Sequence, residues 1–252
     1  MKIKNIYSFK RIFYLLIIIL IIKLIYNYFF SFPFPIYNFP DITKTHYEEL
    51  IKGKEPVLFK NVLKQNIEWN DFCEKLGDKE LSVRHGDYGS TEGRKERYFK
   101  KEKLRNVCQN INNSSGYGGN NVISLDEQKK IQLESSNPSI NMFQKAKMWM
   151  GPSNSRTPLH KDAPDNLAIQ LYGRKKWIFY NKTSNKNLCF DENNSRLEWS
   201  NYSINNFFTC PSALLARRYE KVMEPGDMLY LPSQWGHDVE NVTNSIMINL
   251  WY

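Results

Sequence analysis

The chain has few cysteines, and none of them form a motif typical of a zinc ribbon. Only four occur in 252 residues, and no two stand in a C-x-x-C pair, which argues against that class of metal site. Two interpretations stay open. In an oxidising compartment Cys73, Cys108, Cys189 and Cys210 can form up to two disulfides, with the last two as the nearest pair in sequence; otherwise all four are buried free thiols.

Acidic residues are absent from the first 40 positions, so the net charge of +9 is unevenly distributed. Five of the basic residues and no acidic ones precede residue 31, which leaves +4 for the rest of the chain. That surplus is too modest to predict nucleic acid as a partner. One local basic run is interpreted as a solvated face, with recognition of an acidic substrate or a phosphate as the alternative; it comprises Arg94, Lys95, Arg97, Lys100, Lys101, Lys103 and Arg105.

Charge is also almost missing from residues 12–30, where Lys23 is the one interruption. A helix of this length reaches about 28 Å, close to the hydrocarbon thickness of a bilayer, so the stretch predicts a membrane anchor. Basic residues precede it, which predicts a cytosolic N-terminus and a main domain in the lumen of the secretory pathway. A cleaved signal peptide over residues 12–22 is the alternative, although no small-residue cleavage site follows. Sequons suit a lumenal glycoprotein; they lie at Asn112, Asn113, Asn181, Asn193, Asn201 and Asn241.

Three segments are expected on this basis: a tail and membrane anchor over residues 1–31, a proline- and aromatic-rich linker over 32–44, and one domain over 45–252. In the first part of the domain we expect a helix at 48–52 opened by a capping box at Thr45, a strand at 56–63, a helix at 69–76, a strand at 81–85 and a loop at 110–121.

Short strands separated by Gly and Pro turns dominate the second part of the domain. They are predicted at 146–150, 159–162, 168–171, 176–180, 228–231, 238–242 and 246–251, with a polar insertion at 191–208. Many short strands of this kind indicate an all-β sandwich or barrel. The sequence therefore predicts a mainly β fold with an N-terminal α/β layer.

One pair of side chains stands out as a candidate metal site. His160 and Asp162 are two residues apart, so on a strand both project from the same face. A third ligand is expected from His237, which follows a Pro-Gly-Asp turn, a short apolar strand and a proline. Two imidazoles and one carboxylate that leave the opposite positions open are the arrangement of non-haem Fe(II) oxygenases.

The surrounding motifs resemble those of the cupin-like, JmjC-related 2-oxoglutarate dioxygenases, most of all the branch with the asparaginyl hydroxylase that inhibits hypoxia-inducible factor. The matching pieces run from about residue 148 to the end of the sequence: T-P-x-H-x-D at 157–162, an asparagine six residues after the first histidine, G-x-K-x-W at 173–177, P-G-D-x-L-Y-x-P-x-x-W-x-H at 225–237 and N-x-W-Y at 249–252. The resemblance implies a double-stranded β-helix, the jelly-roll cupin barrel.

The resemblance also implies cofactors and roles. Fe(II) is held by His160, Asp162 and His237, and 2-oxoglutarate and O2 serve as co-substrates. Lys175 binds the distal carboxylate of 2-oxoglutarate, because it shares strand parity with Trp177 and belongs to the G-x-K-x-W pattern. Further polar groups around the co-substrate come from Thr157, Asn166 and Asn249. Family members also place an aromatic or hydroxyl side chain on the strand before T-P-x-H, a role that the sequence does not assign here.

The implied reaction is hydroxylation of a protein side chain, with 2-oxoglutarate decarboxylated to succinate and CO2; demethylation is not distinguished from it. Two other functions stay open. One is an inactive cupin-like binding module, and the other is an RNA hydroxylase that uses the basic run. The C-terminal dimerisation helices of the asparaginyl hydroxylase have no counterpart after residue 252, so the oligomeric state is open.

Overall fold

A computed structural model describes residues 2–85, 98–113, 116–140, 146–190, 197–200 and 207–251. The helices are α1 (Lys2–Phe29), α2 (Lys44–Lys52), α3 (Trp69–Lys75), α4 (Leu104–Asn110) and α5 (Leu125–Lys130). The strands are β1 (Ile36–Asn38), β2 (Val57–Lys60), β3 (Glu80–His85), β4 (Tyr98–Lys103), β5 (Tyr117–Val122), β6 (Lys147–Gly151), β7 (Arg156–Asp162), β8 (Asn166–Tyr172), β9 (Lys175–Tyr180), β10 (Leu197–Trp199), β11 (Arg218–Met223), β12 (Met228–Leu231), β13 (Gly236–Asn241) and β14 (Ser245–Trp251).

Two sheets form the body of the domain. A nine-stranded sheet has the order β1-β2-β12-β8-β14-β6-β5-β3-β4, and a five-stranded sheet has the order β10-β7-β13-β9-β11. One buried cluster draws side chains from both sheets, including Ala168 and Met247 of the larger and Trp177 and Val239 of the smaller. The sheets therefore pack face to face around a common core, consistent with a double-stranded β-helix.

Helices α2, α3 and α4 cover the outer face of the larger sheet. Strand β8 shows why, since Leu167, Ile169 and Leu171 pack against the helical layer while Ala168 packs between the sheets. Successive side chains of a strand point to opposite faces, so a strand with apolar side chains on both faces needs cover on both sides. The predicted α/β layer at the N-terminal side of the barrel is this cover.

Several predicted elements need correction. Helix α2 begins at Lys44 and is capped by Thr43, whose side chain accepts a hydrogen bond from the His46 N–H; Thr45 lies inside the helix and does not cap it. The predicted loop over 110–121 contains β5, which pairs with β3 and β6 and so gains partners that no local pattern reveals. Strands β10 and β11 were not predicted. Most of the predicted insertion at 191–208, like the start of the basic run, lies outside the described residues.

The membrane prediction is wrong. Among the helices of the described residues, none combines the length and apolar character needed to cross a bilayer. The predicted transmembrane anchor, the membrane as a partner and the lumenal localisation deduced from the anchor are overturned with it.

The cysteines form two disulfides, so the interpretation as four free thiols is also wrong. Cys73 of α3 is joined to Cys108 of α4, and Cys189 is joined to Cys210 across the polar insertion. The glycosylation expectation fails at Asn241, where the side chain is 1% exposed and its amide donates to the Pro152 carbonyl at 3.0 Å. A buried, hydrogen-bonded amide is out of reach of any enzyme that modifies the folded chain.

Candidate metal centre

The two halves of the candidate site meet because β7 and β13 pair antiparallel, with His237 directly opposite His160. Asp162 lies two residues further along β7 and projects from the same face. Ligand atoms of the three side chains all lie within 4.8 Å of one another, and His237 Nε2 is 3.6 Å from Asp162 Oδ2. The structure therefore brings together two imidazoles and a carboxylate from distant parts of the chain into a group that can hold one metal ion.

Backbone carbonyls orient both imidazoles. His160 Nδ1 lies 2.9 Å from the Pro158 carbonyl oxygen, and His237 Nδ1 lies 3.0 Å from the Trp235 carbonyl oxygen. A carbonyl only accepts hydrogen bonds, so each Nδ1 carries the proton and donates it. Each Nε2 is left with its lone pair, which is the form that binds a metal, and the carbonyl fixes the plane of the ring.

Burial keeps His160 in the form a metal needs. Loss of solvent is the main cause that lowers the pKa of His160 to about 3, and His237 and the positive charge of Arg84 lower it further, against the opposing effect of Asp162. An imidazole with so low a pKa is neutral at physiological pH. No proton then has to leave before a cation binds.

A buried ion pair fixes the strand that carries His237. Arg156 Nε and a second guanidinium nitrogen donate to the two carboxylate oxygens of Asp238 at 2.7 and 2.9 Å, and both side chains are less than one-tenth exposed. The register of β7 against β13 shifts between His237 and Val239, beside this pair. A bidentate pair at an irregular point of the ladder holds the strand in one position.

The turn after β7 is held by a second acid, Asp165. Its carboxylate accepts hydrogen bonds from the Lys54 amine, from the Ser233 N–H at 2.9 Å and from the Tyr230 hydroxyl at 2.9 Å. Burial alone would raise the pKa of Asp165, but these bonds outweigh it and the pKa lies below its ordinary value. The carboxylate thereby ties the turn beside the metal strand to the loop before His237.

A cavity of about 260 Å³ opens next to the three ligands. Its walls are unusually aromatic, since four of the six tryptophans of the chain line it: Trp149, Trp177, Trp199 and Trp251. The ring of Trp199 lies 4.9 Å from that of His160, and the ring of Trp177 stacks on that of His237 at 5.6 Å. The ligands thus stand beside a cavity with mostly apolar walls and a few polar groups, the usual form of a small-molecule site.

Comparison with known proteins agrees with this architecture. The family model described as "Cupin-like domain" matches residues 43–252, more than four-fifths of the chain. This chain belongs to the cupin-like domain family. Its relatives include "Jumonji C domain-containing protein 5" of Drosophila melanogaster, 27% identical over 135 residues, or 52% of this chain. "Lysine-specific demethylase JMJ30" of Arabidopsis thaliana is 30% identical over 118 residues, 44% of this chain, and "Lysine-specific demethylase 8" of Danio rerio is 31% identical over 109 residues, 41% of this chain.

Those matches cover 32%, 26% and 26% of the three relatives, so this cupin-like chain spans about a third or less of each. The predicted membership of a cupin-like, JmjC-related family is confirmed. The asparaginyl-hydroxylase branch is not singled out by these comparisons and stays a prediction.

Three of the four predicted co-substrate residues line the cavity, and the fourth is buried outside its wall. Thr157, Asn166 and Asn249 line the cavity, and Asn249 Nδ2 donates to Asn166 Oδ1 at 2.6 Å. Within the part of the chain that the structure describes, the buried Asn249 Oδ1 has no hydrogen-bond partner. Lys175 is fully buried and is not part of the cavity wall.

Lys175 reaches the cavity through a tyrosine. Its Nζ donates to Tyr117 Oη at 2.9 Å, and Tyr117 lines the cavity. Among the described residues no carboxylate lies within ion-pair distance of this amine. The next residue, Lys176, faces outward and pairs with Glu220 at 2.9 Å, as strand alternation requires.

Sequence reasoning missed three side chains at this centre: Arg84, Tyr117 and Trp199. Tyr117 lies on β5, which pairs with β6, the strand before T-P-x-H on which the family resemblance implies an aromatic or hydroxyl group. The signal that could have found it is Gly151, because a Cβ there would stand 2.2 Å from the Tyr117 ring. A glycine at a position where any side chain would collide with a neighbouring ring marks a close approach of two strands.

Proposed function

We propose that this cupin-like domain is an Fe(II)- and 2-oxoglutarate-dependent oxygenase that hydroxylates a protein side chain and converts 2-oxoglutarate into succinate and CO2. The observation that carries the proposal is the convergence of His160, Asp162 and His237, with both imidazoles presenting Nε2, at the wall of a cavity. Two imidazoles and one carboxylate suit a ferrous ion and leave coordination positions for small ligands.

The donor set fits iron better than a structural metal. No cysteine takes part, and three protein ligands are fewer than the four that close a structural zinc site. Bound Fe(II) supplies the redox chemistry that couples reduction of O2 to decarboxylation of the keto acid and oxidation of a C–H bond. The protein has to hold the reactants, orient them and exclude water.

Lys175 and Tyr117 are proposed to bind the distal carboxylate of 2-oxoglutarate. A buried amine whose one hydrogen bond within the described structure goes to a neutral hydroxyl is an expensive arrangement unless an anion joins it. The Tyr117 hydroxyl can donate to a carboxylate while it accepts from Lys175. Thr157 adds a hydroxyl on the cavity wall.

Asn166 and Asn249 are proposed to orient the other end of the co-substrate. Their mutual hydrogen bond of 2.6 Å fixes both amide planes and leaves Asn166 Nδ2 and Asn249 Oδ1 for a ligand. The tryptophan rings beside His160 and His237 keep bulk water from the metal ligands, which strengthens every polar contact inside the cavity.

Demethylation of lysine is the second candidate, because two of the relatives are named lysine-specific demethylases. The matched region is only a part of each relative, so their substrates do not transfer to this chain by similarity alone.

The test is release of succinate from 2-oxoglutarate by the purified full chain supplied with Fe(II), ascorbate and air. We expect turnover that His160→Ala abolishes and that His46→Ala, a change on the distant helix α2, leaves intact. Wild-type protein that binds Fe(II) yet releases no succinate, either alone or with a cell extract as substrate source, would refute the enzyme assignment and favour a binding module.

A further inference from the structure

A row of side chains beside the metal centre has no role in the scheme above. Arg84 of β3 lies in register with Phe99 of β4 on one side and with Tyr117 of β5 on the other. Residues opposite each other on neighbouring strands share a face, and all three line the cavity. The sheet therefore places a guanidinium in the wall of the cavity, between an exposed aromatic ring and the tyrosine that contacts Lys175.

Apart from the metal ligands, the charged side chain in the described wall of the cavity is positive. Among the described residues that line the cavity, Asp162 is the one carboxylate, and it belongs to the metal ligands. Arg84 is the one side chain of permanent positive charge in the same set. An incoming ammonium group would meet a guanidinium and find no carboxylate in this set other than the metal ligand Asp162, whereas an incoming carboxylate could accept a hydrogen bond from the guanidinium.

Two of the aromatic faces nearest to Arg84 do not compensate for this. Aromatic rings can bind a cationic side chain through their faces, and tryptophan is the best of them. Here Arg84 itself occupies those positions, since its guanidinium carbon lies 5.4 Å from the Tyr117 ring centre and 5.9 Å from that of Trp149. The cation that these two rings attract is supplied by the protein.

The hydrogen-bonding groups of the wall point to the same kind of ligand. Buried indole N–H groups of Trp149, Trp177 and Trp251 have no acceptor in the described part of the chain, and all three side chains line the cavity. An indole N–H only donates. Among the buried side-chain atoms of the wall that lack a partner in the described structure, these three donors outnumber the one acceptor, Asn249 Oδ1, which suits a ligand that brings oxygen atoms and negative charge.

Strand β4 continues the positive charge outside the cavity. It is the edge strand of the nine-stranded sheet, and Lys101 and Lys103 share the strand face of Phe99. Both pair with acids at the surface, Glu80 and Asp78, at 3.3 and 3.6 Å, and all four side chains are more than half exposed. Exposed pairs of this kind are weak, so the lysines are available to an acidic partner.

We infer that the substrate is an acidic polypeptide segment, and that Arg84 binds the carboxylate of an aspartate or glutamate side chain in the cavity beside the metal ligands. The inference rests on the proposed function for the identity of the site and adds the class of substrate. It sets this chain apart from a lysine-specific enzyme. The alternative source of a carboxylate, 2-oxoglutarate itself, is separated by the test.

The test measures binding rather than turnover. Full-chain protein, loaded with Fe(II) and 2-oxoglutarate under nitrogen, is immobilised and offered three nonapeptide libraries with random flanks and a fixed centre: Asp or Glu, Asn or Gln, and Lys. Mass spectrometry reports what is retained. We expect retention of the acidic library about tenfold above the amide library, as loss of one charge-assisted hydrogen bond predicts, and no enrichment of the lysine library.

Variants assign the preference to one side chain. Arg84→Gln should bring the acidic library down to the level of the amide library, while Arg84→Lys retains part of the preference. The matched control is Lys100→Gln, which removes one positive charge from the opposite face of β4 and should leave the preference unchanged. Unfolding curves verify that each variant is folded. If Arg84→Gln does not fold, the preference of the wild type and the reduced preference of Arg84→Lys test the inference instead.

Three results would overturn the inference: a wild-type preference for lysine, the absence of any preference, or an Arg84→Gln variant that loses affinity for 2-oxoglutarate and keeps its acidic peptides. Failure of the proposed function looks different. A protein that releases no succinate but still selects acidic peptides through Arg84 would refute the oxygenase assignment and leave the inferred substrate class intact. A protein that releases succinate but does not select acidic peptides would refute the substrate class and leave the oxygenase assignment intact.

Discussion

Replacement of Lys175 by methionine should change folding stability and co-substrate affinity in opposite directions. Lys175 is fully buried, and its one hydrogen bond in the described structure goes to Tyr117. Methionine has nearly the same length and volume, so it can occupy the site without leaving a cavity. The mutation therefore tests the charge of the side chain and not its size.

The expected magnitudes follow from that environment. Loss of the hydrogen bond to Tyr117 costs about 0.5–1.5 kcal/mol of unfolding free energy. Removal of a buried ammonium that lacks a carboxylate partner relieves a desolvation penalty of about several kcal/mol. Stability of the protein without 2-oxoglutarate should thus stay equal or rise by about 1–3 kcal/mol. Affinity for 2-oxoglutarate should fall by about 10- to 150-fold, the equivalent of a charge-assisted bond of about 1.5–3 kcal/mol.

Two assays separate these effects. Urea unfolding without ligand gives the stability, and calorimetric titration of the Mn(II)-loaded protein with 2-oxoglutarate gives the dissociation constant. The matched control is Lys176→Met, one residue along β9, which removes an outward-facing amine and should leave the affinity for 2-oxoglutarate unchanged. A Lys175→Met variant that is less stable by more than about 1 kcal/mol and binds 2-oxoglutarate normally would show that the lysine is structural.

Three further outcomes are expected. The pKa of Asp165 is lowered in the folded chain, so its contribution to stability is complete above its unfolded pKa of about 3.9 and is lost as the pH falls through the lower folded value. In urea unfolding, the difference in stability between wild type and Asp165→Asn should therefore shrink below about pH 4. A constant difference from pH 3 to 7 would contradict this. Replacing Cys189 and Cys210 by alanine should reduce the unfolding free energy by about 3 kcal/mol, since the bridge closes a sequence separation of 21 residues; an unchanged urea midpoint would show that the bridge is absent in solution. Arg156→Met should destabilise the chain by about 3–5 kcal/mol, because it leaves the Asp238 carboxylate buried without its partner. Adding Asp238→Asn to this variant should restore part of the lost stability. A double variant that is no more stable than Arg156→Met alone would argue against the ion pair.

The metal-binding half of the barrel was predictable because its signals are local. His160 and Asp162 share strand parity, and the Pro-Gly-Asp turn and the apolar run before His237 mark β12 and the approach to β13. The opposite orientations of the Lys175 and Lys176 side chains were also predictable, because successive side chains of a strand point to opposite faces. What no local pattern supplied was the pairing of β7 with β13, which the resemblance to a known family provided.

The substrate side of the cavity was not predictable, because long-range pairing creates it. Tyr117 stands in a segment of Gly, Asn and Ser that favours a loop, and it becomes a strand only through its partners β3 and β6. Arg84 is one of two charged residues, with Glu80, in the short strand β3, and its place at the cavity follows only from the rings that tertiary pairing sets next to it. Trp199 lies on a three-residue strand that pairs with β7 beside His160. Tertiary contacts of this kind override local propensity.

The membrane prediction failed for a different reason. It rested on a count of apolar residues and on the charges that precede them. The stretch does lie in a helix, α1, but no helix of the described residues combines the length and apolar character that a membrane span requires. Cysteine spacing was likewise too weak to decide between thiols and disulfides, since pairing depends on how α3 and α4 pack and not on sequence distance.

The central claim, that His160, Asp162 and His237 hold one ferrous ion, is tested most directly by metal titration of the full chain. Calorimetry under nitrogen should show one Fe(II) per chain, with an affinity at least about 100-fold weaker in each of His160→Ala, Asp162→Ala and His237→Ala and unchanged in His85→Ala, which lies outside the site. Wild-type protein that binds no Fe(II), or that binds it equally well after His237→Ala, would contradict the account.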